Sequence, residues 1–346
     1  MDELLYFFSK TQPRRPTVVR QVLSNKRTVS NLFWGMRYGI IDWLAVCPRF
    51  ERAKFDGEIK ELIRRGRLIE TGDREVLLTE TGVKQCTAFE SQHYRIKKPA
   101  IFGALKTQLW QELLRLLVQV ISEASYHNRR YFVVASSFQA QTIIKRWYKE
   151  NRQYDLGRVL GEQLLLFLEN VDRQHADIFM QLFSGHDVIA KTIEQVAADT
   201  NYSACDVQFL WEDLSASLAA FLYNGSSIFK SLVAPLMASS RLSKSAAATY
   251  GLYESGLPLS TIKTKRRLKE STVIEHLLEA AIFVPTFDFK RLLSVKDYYV
   301  LRQLFQGNID NWSYKKLESV EPTVSFAKFR LYQIEQTRLN ADNISD

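Results

Sequence analysis

Apolar residues recur along most of this chain at positions i, i+3, i+4 and i+7, the spacing that lines one face of an α-helix. Glycine and proline, which interrupt helices, number only 14 and 8 among the 346 residues. The pattern therefore predicts a mainly α-helical protein. Proline and glycine breaks fall near 98–99, 224–225, 257–258 and 284–285, and the predicted domains are 15–95, 100–235 and 241–335.

The first domain begins with three helical patterns, at 15–25, 31–44 and 51–65. Two short β-prone runs follow, at 67–71 and 75–79, and Gly72 and Asp73 between them favour a hairpin turn. Three helices followed by a hairpin are the order of a winged helix. Either Thr79 or Thr81 is suited to cap the helix after the wing.

The middle domain is helical throughout and contains one helix-turn-helix outline at 191–214, with a break at 201–203. Residues 181–225 carry one cation against six acids, a net charge of −5, which would repel DNA. We therefore expect a structural or protein-contact role for this element. The segment KRWYKENRQY (145–154) has the composition of a single-strand binder, but the helical spacing of Trp147 favours a core position.

A second helix-turn-helix pattern lies in the last domain, around a cluster of five cations within 263–269. Residues 241–270 carry seven cations against two acids, a net charge of +5. The predicted DNA-binding residues are Lys263, Lys265, Arg266, Arg267, Lys269, Ser271 and Thr272. Ser271 is expected to cap the second helix, leaving free backbone N–H groups for a phosphate. The alternative is a solvated surface favoured by the C-terminal dipole of the first helix.

The whole chain and its first domain also carry a net positive charge, which favours an anionic partner but does not identify it. The whole chain has a formal charge of +9 and a pI near 9.3, which suits nucleic acid or an acidic membrane surface. Residues 14–67 are the most basic part, with thirteen cations against five acids. Winged helices read DNA and dock proteins about equally often, so both roles remain open for this domain.

The chain has no recognisable catalytic pattern. Its five histidines have no metal-ligand spacing, its three cysteines no disulfide or zinc spacing, and it contains no G-x-x-x-x-G-K-[ST] phosphate loop. We expect no enzyme activity, no cofactor and no small-molecule substrate. The apolar patch near the start is too short for a signal peptide or membrane span, so a cytoplasmic protein with no membrane partner is expected.

Residues 249–278 resemble the helix-turn-helix domain found at the C-terminus of some RecQ-family helicases and in the YpbB family of Firmicutes. The matching positions are Thr249, Gly256, 262–266, Leu268, Ser271-Thr272-Val273 and His276-Leu277. Segments 25–40, 78–82, 191–214 and 324–336 also resemble the layout of the YpbB family. Two positions depart from that pattern, because Lys263 replaces a small residue and Arg267 replaces a frequent glycine.

This resemblance implies a non-catalytic, DNA-binding helper of a RecQ-type helicase that acts in DNA repair or recombination. Two other functions are compatible with the same modules. One is a helix-turn-helix transcription regulator, which usually dimerises on one palindromic site. The other is an adaptor that docks proteins and does not bind DNA.

Overall fold

The structure is a computed structural model that describes residues 2–47, 51–134, 136–238 and 240–342. It is mainly helical, as the apolar spacing predicted. The helices up to residue 181 are α1 (Pro16–Leu23), α2 (Val29–Arg37), α3 (Arg52–Arg64), α4 (Glu80–Gln92), α5 (Thr107–Ser125), α6 (Phe138–Asn151), α7 (Leu156–Leu168) and α8 (Arg173–Gln181). The later helices are α9 (Ile193–Asp199), α10 (Ala204–Asn224), α11 (Lys230–Val233), α12 (Lys244–Glu254), α13 (Leu259–Arg266), α14 (Glu270–Phe283), α15 (Val295–Leu304), α16 (Tyr314–Val320) and α17 (Phe326–Asp342).

The predicted hairpin consists of two antiparallel strands, β1 (Leu68–Thr71) and β2 (Glu75–Leu78), paired from Leu68↔Leu78 to Thr71↔Glu75. Gly66 follows α3 and precedes β1. Its φ of +65° lies in the left-handed region that favours glycine and that commonly ends a helix. Thr79 caps α4, since its hydroxyl accepts a hydrogen bond from the Gly82 N–H at 3.0 Å. The predicted order of three helices, a hairpin and a further helix is therefore confirmed.

The described residues group into two compact units. The first comprises residues within 1–13, 42–46 and 53–239, and the second comprises residues within 14–41, 47–52 and 240–346. The predicted domain 15–95 is thus divided: α1 and α2 belong to the second unit, and nearly all of α3, the hairpin and α4 belong to the first. The reason is packing, because Phe33 of α2 is fully buried in one hydrophobic cluster with Leu277 and Phe329.

The core of the first unit forms around α5 and α10. The indole N–H of Trp110 donates to the Ser215 carbonyl at 2.7 Å, and Trp110 and Trp211 are both buried. The apolar run 113–121 lies on α5 and forms a buried helix. Trp147 is buried and stacks on Phe229 at a centroid distance of 5.3 Å, which confirms its predicted core position.

The helix-turn-helix outline of the middle region corresponds to α9 and α10, and two of its acids, Asp206 and Asp213, are structural. Asp213 is buried and accepts hydrogen bonds from the Tyr94 hydroxyl at 2.7 Å and from the Lys97 N–H at 2.8 Å. Asp206 is also buried and accepts from the Tyr94 N–H at 3.0 Å. Carboxylates paired in this way hold the chain before α5 against α10, which agrees with the structural role expected for this element.

Candidate nucleic-acid interface

Helices α12, α13 and α14 form the helix-turn-helix core of the second unit. Gly256, at a φ of +88°, turns the chain after α12, and Pro258 precedes the first residue of α13. Three residues, 267–269, then connect α13 to α14. Ile262, Val273 and Leu277 are fully buried between the helices. A short turn between two helices packed in this way places α14 in the position of a recognition helix.

A polar contact also joins α12 to α14. The Thr249 hydroxyl lies 2.9 Å from Nδ1 of His276, and Thr249 is fully buried. Burial lowers the pKa of His276 below its ordinary value, and the positive charge of Arg266 acts in the same direction. His276 therefore packs against α12.

Glu279 of α14 connects three segments of the second unit. Its carboxylate accepts hydrogen bonds from Nη2 of Arg27 at 2.8 Å and from the Ser243 N–H at 2.6 Å. Ser243 is the N-cap of α12, and Arg27 lies before α2. The buried carboxylate of Glu279 therefore fixes α14 to the start of α12 and to the segment before α2. Glu279 was not among the residues predicted from the sequence, although a lone acid within the apolar run of α14 indicates a buried charge that needs a partner.

The turn between α13 and α14 contains a strained residue. Arg267 adopts a left-handed conformation, with φ +52° and ψ +43°, and its N–H donates to the Thr264 carbonyl at 3.2 Å. A residue with a side chain pays about 1–2 kcal/mol in this region, whereas glycine does not. The resemblance placed a frequent glycine at this position, and the geometry explains why glycine fits there.

Four predicted cations lie exposed around this turn: Lys263, Lys265, Arg267 and Lys269. We call these four residues the cationic turn. Lys263 lies 3.9 Å from the exposed Glu270 carboxylate, a surface pair that contributes at most about 1 kcal/mol. Within the described part of the chain, Lys265, Arg267 and Lys269 have no acidic partner. The cationic turn therefore presents its charge to solvent.

Arg266 differs from these four cations. It is half-buried, and its Nη2 donates to the Ser245 hydroxyl at 3.0 Å and to the Ser245 carbonyl at 3.3 Å. These contacts tie the end of α13 to the start of α12. The sequence grouped Arg266 with the other cations because its partner lies 21 residues earlier and leaves no local pattern. Its main observed role is to hold α12 and α13 together.

The prediction that Ser271 caps α14 is wrong. The helix begins at Glu270, so Ser271 already has helical geometry, while an N-cap requires an extended backbone such as that of Lys269, with φ −69° and ψ +150°. Lys269 makes no side-chain capping bond. The first N–H groups of a 14-residue helix thus lie beside a cation, and both favour an approaching anion.

The remaining predicted residues lie at the start of α14. Ser271 is exposed and Thr272 is half-exposed, and Glu275 is exposed one turn later. Hydroxyl and carboxylate groups in these positions are able to exchange hydrogen bonds with base edges. The structure thus brings the cationic turn and these polar side chains to one end of α14.

Two further properties concern the described residues as a whole. Among them, no helix combines the length and apolar character needed to cross a membrane. The same residues contain no cluster of three or more histidine, cysteine, aspartate or glutamate side chains able to hold a metal ion.

Comparison with known proteins supports the geometry of the C-terminal part. Residues 245–333 match the model of a family described as a helix-turn-helix domain. The second unit contains a helix-turn-helix domain. The chain is also similar to Protein YpbB of Bacillus subtilis (strain 168), with 23% identity over 235 residues. This match covers 66% of the chain and 66% of that relative, slightly less than two-thirds of its length. No solved structure matches the chain.

Proposed function

We propose that this protein is a non-catalytic, DNA-binding accessory factor of a RecQ-type helicase, and that it acts in the cytoplasm in DNA repair or recombination. The observation that carries the DNA-binding part is the cationic turn, which is exposed at the free N-terminus of α14. The helicase part is supported by the similarity to the YpbB family. On this proposal the partner hydrolyses ATP, because this chain has no phosphate loop.

The cationic turn is suited to the DNA backbone because each cation that neutralises a phosphate releases condensed counterions. With α14 in the major groove, the four side chains would contact phosphates on either side of the helix end. Ser271, Thr272 and Glu275 would then lie nearest the base edges. Few side chains reach the bases in this arrangement, which favours backbone-dominated binding over strict sequence selection.

The test is the salt dependence of binding to a labelled 20-base-pair duplex, measured by fluorescence anisotropy. The test variant combines Lys265→Ala, Arg267→Gly and Lys269→Ala, and leaves the Arg266 contact with Ser245 in place. We expect weaker binding and a slope of log K against log salt that is smaller by roughly 2–3, because about 0.9 is lost per phosphate contact.

The matched control removes three exposed cations from other helices of the second unit, through Lys296→Ala, Arg302→Ala and Lys315→Ala. Both variants lose the same net charge, so a general electrostatic effect would lower the two slopes equally. An unchanged slope in the test variant, or an equal loss in the control, would overturn the assignment of the cationic turn.

The helicase partner is tested by affinity capture with the intact chain from an extract of the source cells. Recovery of a RecQ-type helicase that survives nuclease treatment supports the proposal, and its repeated absence removes the partner. A transcription regulator remains the alternative, because α14 presents hydrogen-bonding side chains at its start. Light scattering with binding-site selection separates the two, since a dimer with one palindromic consensus favours regulation.

A further inference from the structure

The first unit holds residues 128–134, 136 and 137, which lie between α5 and α6, against helix α5. We call these nine residues the strap. Gln119 of α5 donates from Nε2 to the Phe132 carbonyl at 2.9 Å and accepts at Oε1 from the Val134 N–H at 2.9 Å. One buried amide therefore pairs with the strap backbone on both sides of Val133, in the manner of a neighbouring strand.

Two acids of α5 hold the ends of the strap. The Glu123 carboxylate accepts from Nδ2 of Asn128 at 2.7 Å, and the Glu112 carboxylate accepts from the Ser137 N–H at 3.0 Å. Hydrogen bonding from the Ser137 side chain, and then from its N–H, lowers the pKa of Glu112. Glu112, Gln119 and Glu123 follow the helical spacing i, i+7 and i+11, so they form one polar stripe along α5. The strap is thus held at three points.

The segment held in this way presents aromatic side chains to solvent. Phe132 is 100% exposed, and Phe138, the first residue of α6, is 85% exposed. A fully exposed phenylalanine on a backbone fixed by buried hydrogen bonds contributes nothing to the core, and exposed apolar side chains of this kind mark interaction surfaces. Phe132 and Phe138 are therefore candidate contact residues for a ligand.

The surroundings of these rings are strongly basic. Residues 126–154 carry six cations against the single acid Glu150, a net charge of +5. All six cations are exposed on the strap, on α6 or at its C-cap: Arg129, Arg130, Lys145, Arg146, Lys149 and Arg152. The cores of protein-protein interfaces are depleted of charge, whereas exposed rings among cations suit a strand of nucleic acid.

We propose that the strap and the outer face of α6 bind single-stranded nucleic acid, with bases stacked on Phe132 and Phe138 and phosphates beside the cations. A duplex fits less well, because its bases are already stacked on each other and are not free for the rings. This surface belongs to the first unit and does not depend on the helix-turn-helix domain. It extends the proposed function to a substrate that contains both duplex and single strand, the product of strand separation.

The experiment measures the affinity of the intact chain for a fluorescein-labelled (dT)15 oligonucleotide and for the 20-base-pair duplex. In the strap variant, Phe132→Ala with Phe138→Ala, (dT)15 affinity should fall at least about fivefold, the effect of losing one stacked base. Duplex affinity should change less than about twofold. Both rings are exposed, so their truncation leaves the core intact, and thermal unfolding checks this.

The control variant, Val295→Ala with Tyr299→Ala, removes two comparably exposed apolar side chains from α15 of the second unit and should bind (dT)15 like the wild type. Photo-crosslinking to an oligonucleotide with 5-iodouracil should label peptides that contain Phe132 or Phe138. Unchanged (dT)15 affinity in the strap variant overturns the proposal and leaves the surface to a protein partner. Loss of duplex binding in the cationic-turn variant alone tests the helix-turn-helix domain, so the two proposals fail separately.

Discussion

Arg267→Gly separates the charge of the turn from its conformation. The arginine contributes a cation to the surface, but its backbone lies at φ +52°, where a side chain costs about 1–2 kcal/mol. Glycine removes that strain and costs about 0.5–1 kcal/mol in unfolded-state entropy. We therefore expect a folding free energy between unchanged and about 1.5 kcal/mol more favourable, measured by urea unfolding.

DNA binding by Arg267→Gly should weaken at the same time. Loss of one phosphate contact lowers the salt slope by about 0.9, which corresponds to roughly a fivefold loss of affinity at 0.15 M salt. The assay is duplex anisotropy at four or more salt concentrations. Arg267→Lys, which keeps the charge, should retain the slope, and Arg267→Asn, which tolerates the left-handed region, should behave like glycine.

Two results would refute this reasoning. One concerns the left-handed conformation of Arg267, and the other concerns its contact with phosphate. If Arg267→Gly destabilises the protein by more than about 1 kcal/mol, the left-handed turn is assigned incorrectly, because glycine is the residue best suited to that conformation. If the variant is stable and binds DNA with unchanged affinity and slope, Arg267 does not contact phosphate. A simultaneous gain in stability and loss of binding is difficult to obtain from a purely structural residue.

Further predictions concern the framework of the helix-turn-helix domain. Glu279→Ala leaves Arg27 without its carboxylate partner and should cost roughly 3 kcal/mol in urea unfolding. Ser271→Ala should cost less than about 0.5 kcal/mol, whereas Ser243→Ala removes an observed N-cap and should cost about 1 kcal/mol. Because burial lowers the pKa of His276, the unfolded chain takes up its proton more readily. His276 therefore contributes to the free energy of unfolding above its ordinary pKa near 6.5, and this contribution is lost as the pH falls through the lowered pKa of the folded state. The variant His276→Gln should abolish that part of the pH dependence of unfolding.

Local patterns predicted the parts of the fold that depend on neighbouring residues. The hairpin at Gly72 follows from two β-prone runs around turn residues, and the helical pattern after it limits the cap to Thr79 or Thr81, of which the structure uses Thr79. Both are decided within a few residues of the chain. The helix pair around the cationic turn also followed from the apolar spacing of Ile262, Val273 and Leu277, which the structure buries together.

Features that depend on distant contacts could not be predicted in this way. Phe33 lies in a helical pattern, but nothing near it shows that it packs with residues beyond 240. Arg266 resembles its cationic neighbours in sequence and differs through Ser245, a contact set by the crossing of α12 and α13. The error at Ser271 arose because a serine before an apolar run favours a cap, while the length of the turn decides where the helix begins.

The central claim, that the cationic turn contacts DNA, is tested most directly by site-specific crosslinking. The photoreactive residue p-benzoylphenylalanine is placed at position 265 in the turn or at position 315 in α16, both exposed lysine positions of the second unit. Irradiation with labelled duplex should crosslink DNA to the chain modified at 265. The chain modified at 315 should carry almost no crosslinked DNA. Equal crosslinking from both positions, or none from 265 under conditions in which the duplex is bound, would contradict the account.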